Sequence, residues 1–244
     1  MDFFNNPVVE YSPKEKEGVI MKLLWLGVCA LISYFVGTIN PSYLISRRRH
    51  FDIREAGSGN AGGSNALITM GKKVGTLCMI FDIIKAFAVV KASMLLLPME
   101  PLAGAVSSTA VILGHIFPVW LNFRGGKGLA CLGGAILAYS PLVLLIFLMI
   151  EFILAFIVDY ICIVPITASI AFPIVYYAQG GPGFGALILL IATVAMLYKH
   201  MENIVRIREG KEAHFSYLWK REKEEDRIRS NLSEEEYNRL KKTH

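Results

Sequence analysis

The chain has 244 residues, 54% of them hydrophobic and 18% charged, with a formal net charge of +5. Its mean hydropathy is +0.48 and its pI is near 9.0. This balance excludes an ordinary soluble domain, because several apolar runs reach or approach the ~20 residues that span a bilayer as a helix. In lipid, backbone groups must be satisfied within helices or a closed barrel, and the runs show no strand alternation, so an all-α integral membrane protein is expected. The positive charge suits basic cytoplasmic loops and gives no support for nucleic acid as a partner. Cys29, Cys78, Cys131 and Cys162 stand singly in apolar runs and read as small buried hydrophobes, not as a disulfide framework or zinc site.

In chain order, residues 1–18 are polar, contain Pro7 and Pro13, and read as an extension and not a signal peptide. A first span is predicted over 19–39, ended or kinked at Asn40-Pro41. Arg47, Arg48 and Arg49 follow, then a glycine-rich loop and Lys72-Lys73, so this loop is assigned to the cytoplasm and the N-terminus to the outside. Spans follow over 74–97 and 102–121, and then an apolar region over 129–158 interrupted at Ser140-Pro141. Counting crossings divides that region into two segments meeting near Pro141. Spans over 161–178 and 185–198 complete about seven hydrophobic segments, with the C-terminus cytoplasmic. The organisation is then a transmembrane domain over 19–212 and a charged tail over 213–244, where Ser233-Glu234-Glu235-Glu236 has the pattern of a helix cap.

Polar residues inside the spans are costly and mark buried pairs or watery cavities. Asp82 and Lys85, three apart on one helix face, are expected to pair. Lys91 is near the outer end of its span and is expected to snorkel. Glu151 has no assigned partner, and Asp159 falls at an inner boundary.

Three clusters carry the candidate chemistry. The first is Gly57-Ser58-Gly59-Asn60-Ala61-Gly62-Gly63-Ser64-Asn65, in which glycines let successive N–H groups converge and small polar side chains add donors. Residues 66–70 are placed to open a helix whose N-terminus favours an anion. The stretch contains G-x-G-x-x-G, but an arginine-rich segment precedes it where a buried strand is needed, which rejects a dinucleotide site. The second cluster is Arg124-Gly125-Gly126-Lys127, with His115 upstream; the third sets His200, Asn203 and Arg206 on successive turns of one helix. All three fall on the cytoplasmic side and suggest a site for two phosphorylated molecules. No Ser-His-Asp spacing, H-E-x-x-H or plausible metal set is present.

These clusters resemble the bacterial membrane acyl-phosphate:glycerol-3-phosphate acyltransferases, the PlsY type. The matching stretches are Asp52-Ile53-Arg54 through Gly57-Ser58-Gly59-Asn60, with Asn65 and Gly71-Lys72-Lys73; Phe81-Asp82-Ile83-Ile84-Lys85; Gly114-His115-Ile116-Phe117-Pro118 through Gly128; and His200, Asn203-Ile204, Arg206, Gly210 and Glu212. The resemblance covers about 25–212. It implies a seven-helix fold in a bacterial inner membrane and transfer of a fatty acyl group from acyl phosphate to the 1-hydroxyl of glycerol 3-phosphate, a step of phospholipid synthesis. It also implies that no metal, cofactor or acyl-CoA is needed. Carried over singly, Ser58, Lys127, His200 and Asn203 are catalytic. Gly57, Gly59, Asn60, Ser64, Asn65, His115, Arg124, Gly125, Gly126, Arg206 and Glu212 bind substrate. The donor head falls to Ser58 and Ser64 with nearby amides, and the acceptor or its phosphate to Lys127, His200 and Asn203.

The chain departs from the family pattern at two places. Ile68 stands where an arginine is usual, which removes a charge-assisted contact worth about 1.5–3 kcal/mol. Asp159-Tyr160-Ile161-Cys162-Ile163-Val164-Pro165 stands where the pattern reads like R-Y-V-S-L-x-S, so a basic residue has become acidic and two hydroxyls are gone. The donor loop is thus nearer the pattern than the acceptor side. The alternatives are a different acceptor, acyl-phosphate hydrolysis, or a non-catalytic lipid- or anion-binding membrane protein.

Overall fold

The structure, a computed structural model, describes residues 12–212, 214–218, 226–228 and 230–232. The proposed cap at Ser233-Glu234-Glu235-Glu236 and residues 1–11 of the extension lie outside the described residues. Helices α1 (Pro13–Thr38), α2 (Pro41–Arg48), α3 (Gly63–Met70), α4 (Lys72–Leu96), α5 (Ala103–Ile116), α6 (Leu129–Tyr139), α7 (Pro141–Val158), α8 (Ile163–Ala178) and α9 (Gly183–Arg208) account for almost all regular structure. Among the described residues the β pairing is one isolated antiparallel bridge, Tyr160 to His214.

The interruption at Ser140-Pro141 is a true break. Ser140 is extended, its Oγ accepts from Val143 N at 3.3 Å, and Pro141 takes the first helical position, where its missing N–H costs nothing. Asn40-Pro41 behaves likewise: it ends α1 as expected, and Asn40 caps a short further helix, α2, by accepting from Tyr43 N at 2.9 Å. A proline that ends one helix can open the next, and eight residues are too few for a periodic signal.

Among the described residues, four stretches are long and apolar enough to cross a membrane: Glu17–Arg48, Ala103–Leu121, Pro141–Val158 and Gly183–Arg208. Helices α6 and α8 are apolar but shorter. Helix α4 has 25 residues and carries Asp82, Lys85 and Lys91. Helix α5 is the central one, buried along nearly its whole length, whereas α7 exposes Leu142, Leu145, Leu148, Phe152 and Phe156.

Close backbone approach makes this packing possible. A Cβ on Gly37 would lie 2.3 Å from Val111 O, and one on Gly114 would lie 2.1 Å from Tyr34 O, so α1 and α5 meet main chain to main chain. A Cβ on Gly134 would lie 2.2 Å from Ile83 O, where α6 crosses α4. Small residues at crossings replace the hydrophobic drive that lipid does not supply.

Asp82, Lys85, Lys91 and Glu151, charged residues within the helices, are each engaged. Lys85 Nζ lies 2.6 Å from Asp82 Oδ1 and donates to Gly37 O at 3.0 Å and Ile39 O at 2.6 Å. The expected pair therefore forms, and its ammonium also caps the C-terminal end of α1. Lys91 does not snorkel; it donates to Ala138 O at 3.2 Å, on the last turn of α6. Glu151 accepts from Thr167 Oγ1 at 2.6 Å.

Lys85→Met is expected to lower stability by about 3–5 kcal/mol, because it leaves a buried carboxylate and two carbonyls without their cation. Thermal unfolding in detergent reads the loss; an unchanged midpoint would contradict this account.

Candidate functional site

The first glycine loop is shaped by side chains beneath it. Asp52 opens a 3₁₀ turn (Ile53–Glu55) and pairs with Arg54, whose Nη2 lies 2.7 Å from its Oδ2. The hydrogen bond from Arg54 holds the Asp52 carboxyl below its usual range, and Asp52 raises Arg54 in turn. Arg54 Nη1 also donates to Leu121 O at 2.8 Å, which ties the first loop to the second. Asn65 sits inside the turn. Its Nδ2 donates to Ile53 O (2.9 Å), Ala56 O (2.9 Å) and Asn60 O (2.8 Å), and its Oδ1 accepts from Ser58 N at 2.8 Å. A Cβ on Gly57, whose φ is +57°, would lie 2.3 Å from that Oδ1, so the turn closes only on glycine. Asn40 Nδ2 holds the far end through Ala61 O at 2.7 Å. Ser58 and Ser64 are left exposed, and no side chain caps α3. Its first N–H groups and dipole favour an anion there.

The second loop leans on the first. Gly125 N donates to Ile116 O and Gly126 N to His115 O, each at 3.0 Å. A Cβ on Gly126 would lie 2.0 Å from His115 Nε2, and one on Gly62 would lie 3.8 Å from Gly126 Cα. Lys127 donates to Asn203 Oδ1. Asn203 Nδ2 donates to Glu212 Oε1, and Arg206 Nε to Glu212 Oε2, each at 2.7 Å. Burial and the neighbouring Arg206 cation hold the Lys127 ammonium below the usual lysine range. An incoming anion would relieve both penalties. Below them, His200 Nδ1 donates to Met196 O at 2.7 Å, which leaves Nε2 as an acceptor in the neutral ring.

A cavity of about 100 Å³ lies between the loops, lined by Gly59, Asn60, Arg124, Gly125, Lys127, Lys199 and Glu202. Asn60 Oδ1 is buried with no hydrogen-bond partner among the described residues. A larger hollow of about 680 Å³ opens on the other side of the first loop, against Arg47, His50, Phe51, Asp52, Glu55, Ala56 and Thr69, away from Lys127 and its partners.

The three clusters of the sequence therefore meet, and two of their residues, Asn65 and His115, are buried beneath the loops. Asn65 is 1% exposed with four bonds into its own turn, so it builds the loop. His115 is 3% exposed, with Nδ1 3.3 Å from Lys85 Nζ and 3.5 Å from Asp82 Oδ1, so it supports Gly126 from below. Lys199 and Glu202 line the cavity and were not singled out; their place beside His200 and Asn203 on α9 was the available signal. Arg54 was quoted but given no role. Ile68 is 56% exposed on α3, one turn beyond Ser64. Among the described residues, Asp82, His115 and Cys131 bring ligand atoms within 4.8 Å of one another, from three different helices whose spacing no sequence motif registers. The Lys85 ammonium already stands against two of the three.

These features define a helical membrane protein with glycine-rich loops and several cations gathered around one cavity. Residues 27–210 match the family model described as glycerol-3-phosphate acyltransferase. Curated proteins of that description are similar along most of their length. One from Pseudothermotoga lettingae is 39% identical over 177 residues, 72% of this chain and 87% of its own. One from Agrobacterium fabrum is 35% identical over 189 residues, covering 77% and 91%. The crystal structure of PlsY (YgiH), an integral membrane glycerol 3-phosphate acyltransferase, in its glycerol 3-phosphate form superposes with a TM-score of 0.72 at 28% identity, covering 79% of this chain and 96% of that one. The chain belongs to the glycerol-3-phosphate acyltransferase family.

The Asp52–Arg54 pair gives a pH signature. Because the folded carboxyl titrates below its ordinary 3.8, its stabilisation is complete above that value and is lost as pH falls through the folded one. Asp52→Asn should cost about 1–3 kcal/mol at neutral pH and progressively less in acid, read by denaturant unfolding. A difference that stays constant down to strong acid would contradict the pairing.

Proposed function

We propose that this glycerol-3-phosphate acyltransferase draws its acyl group from an acyl phosphate, at the cytoplasmic face of a bacterial inner membrane. Helices α1, α4, α5, α6, α7, α8 and α9 are its seven membrane segments, with the N-terminus outside. What supports the orientation is the gathering of Arg47, Arg48, Arg49, Lys72, Lys73, Arg124, Lys127 and Lys199 at one end of the alternating helices. The observation that carries the chemistry is the cavity in which donors of both loops meet Lys127 and Lys199.

In this reading the donor phosphate rests on the first loop, with the N–H groups at the start of α3 and the Ser58 and Ser64 hydroxyls. The acceptor phosphate is held from Lys127, Arg206, His200 and Asn203, with Glu212 orienting Asn203 and Arg206. The 1-hydroxyl oxygen attacks the acyl carbonyl carbon, the carbon–oxygen bond to phosphate breaks, and phosphate leaves with its electron pair. The hydroxyl proton passes to substrate phosphate, so the protein contributes orientation and charge stabilisation without a base of its own. The products are lysophosphatidic acid and inorganic phosphate.

Purified protein with long-chain acyl phosphate should release phosphate only when glycerol 3-phosphate is present, and acyl-CoA should not replace the donor. Lys127→Ala should reduce kcat/KM by about 100-fold or more, and Ser58→Ala by at least about tenfold. Unchanged turnover in both variants would refute the site. Ile68→Arg adds a guanidinium on the exposed face one turn from Ser64; it should lower KM for one of the two phosphorylated substrates by about tenfold. If neither KM moves, the phosphates do not reach that face.

A further inference from the structure

The acceptor side of the site ends at Glu212, whose carboxylate joins Asn203 to Arg206. The family match stops at residue 210, so nothing in it accounts for how this carboxylate is held. Behind it the chain folds back. Arg227 donates from Nη1 to Gly210 O at 2.6 Å and from Nη2 to Glu212 O at 2.7 Å. Gly210 has a φ of +68°, and Asn231 Nδ2 donates to the same carbonyl at 3.1 Å. On the other flank, Asp159 takes the main chain of the segment that follows Glu212. Its Oδ1 accepts from Ser216 N at 2.7 Å, its Oδ2 from Ser216 Oγ at 3.0 Å, and its carbonyl from Phe215 N at 2.8 Å. Tyr160 and His214 complete that anchor, with a side-chain contact of 3.1 Å and the isolated bridge.

Asp159 is unsuited to its position on local grounds alone. It ends α7 with a φ of +60°, a conformation that glycine or asparagine takes more readily. An anion at a helix C-terminus is also repelled by the last carbonyls. What Asp159 has in return is three bonds from the tail. That is a physical reason for an acidic residue here, where the resemblance would put a basic one.

We propose that the described tail residues, 214–218, 226–228 and 230–232, act as a strap that holds Glu212 in register with Asn203 and Arg206, anchored by Asp159 on one side and Arg227 on the other. Asp159 and Arg227 are positioning residues: neither touches substrate, and both act through Glu212. The inference rests on the acceptor reading given above. Loosening either anchor frees Glu212 to swing away, which weakens the hold on glycerol 3-phosphate and leaves the donor loop as it was.

The test uses the full chain in detergent or lipid discs, with a long-chain acyl phosphate and varied glycerol 3-phosphate. Arg227→Ala and Asp159→Asn should each raise KM for glycerol 3-phosphate about tenfold, with kcat and the KM for acyl phosphate changed by less than about twofold. Arg227→Lys should recover part of the loss, since an ammonium keeps the charge and donors but lacks the fixed two-pronged fork of the guanidinium. In a Glu212→Gln background, Arg227→Ala should add less than about twofold, because the group it positions is already impaired. Equal rises in both KM values, no rise in either, or fully additive losses would overturn the strap. Should Arg227→Ala fail to fold, Asp159→Asn carries the same comparison. If the wild-type chain binds glycerol 3-phosphate by calorimetry but does not transfer to it, the catalytic reading fails and the strap is judged on a tenfold change in Kd. If it does not bind at all, the strap falls with the acceptor site.

Discussion

One buried ammonium registers both anion loops. Lys85 Nζ stands where the last carbonyls of α1 (Gly37 and Ile39), the Asp82 carboxylate and the His115 ring come together. From that point two short routes lead to the surface. The end of α1 delivers Asn40, which grips Ala61 at the far side of the first loop. His115 supports the second loop, accepting from Gly126 N with its carbonyl and filling the space under Gly126 with its ring. A charge in an apolar bundle is tolerated only when its partners are complete, and removing one partner costs far more than the pair contributes. The arrangement therefore has few alternatives, which is what a site made of backbone donors needs.

Backbone donors must be aimed, and here buried side chains beneath the loops do the aiming. Asn65 makes four hydrogen bonds inside one turn, with all its capacity directed at carbonyls and one N–H. The peptide groups it gathers leave Ser58 facing outward. Arg54 couples that turn to Leu121, so the two loops do not move independently. Preorganised donors of this kind stabilise developing charge without reorganising during the reaction. Glycine serves at both loops for a simple reason: a methyl at Gly57 or Gly126 would occupy the space of Asn65 or His115.

Much of this was legible in residue order. Apolar runs placed the long helices closely, and Ser140-Pro141 marked a break because a hydroxyl cap and a ring without an N–H are local properties. The three polar clusters were visible because glycine and charge are rare in such a chain. What was not legible depends on direction. Asn65 and His115 have the chemistry of ligand-binding groups, and only packing turns them inward. Helix α2 was hidden because Asn40-Pro41 reads equally as a stop and a start. Asp159 looked like an incidental boundary residue, since its partner Ser216 is 57 positions away.

The same distinction bears on the departures at Ile68 and Asp159. Ile68 lies on an exposed face, so losing an arginine there removes one cation without disturbing the fold around it. Arg124, Lys127 and Lys199 already line the cavity between the loops, and a phosphate that meets several cations and backbone donors loses only a fraction of its hold when one is absent. Asp159 is the opposite case. A change of sign at a helix end, in a conformation unfavourable to its side chain, persists only if something answers it, and the tail supplies that answer with three hydrogen bonds. One departure is a deletion within a redundant set of charges. The other meets partners, Phe215 and Ser216, that lie beyond residue 210, so a pattern confined to 27–210 does not contain them.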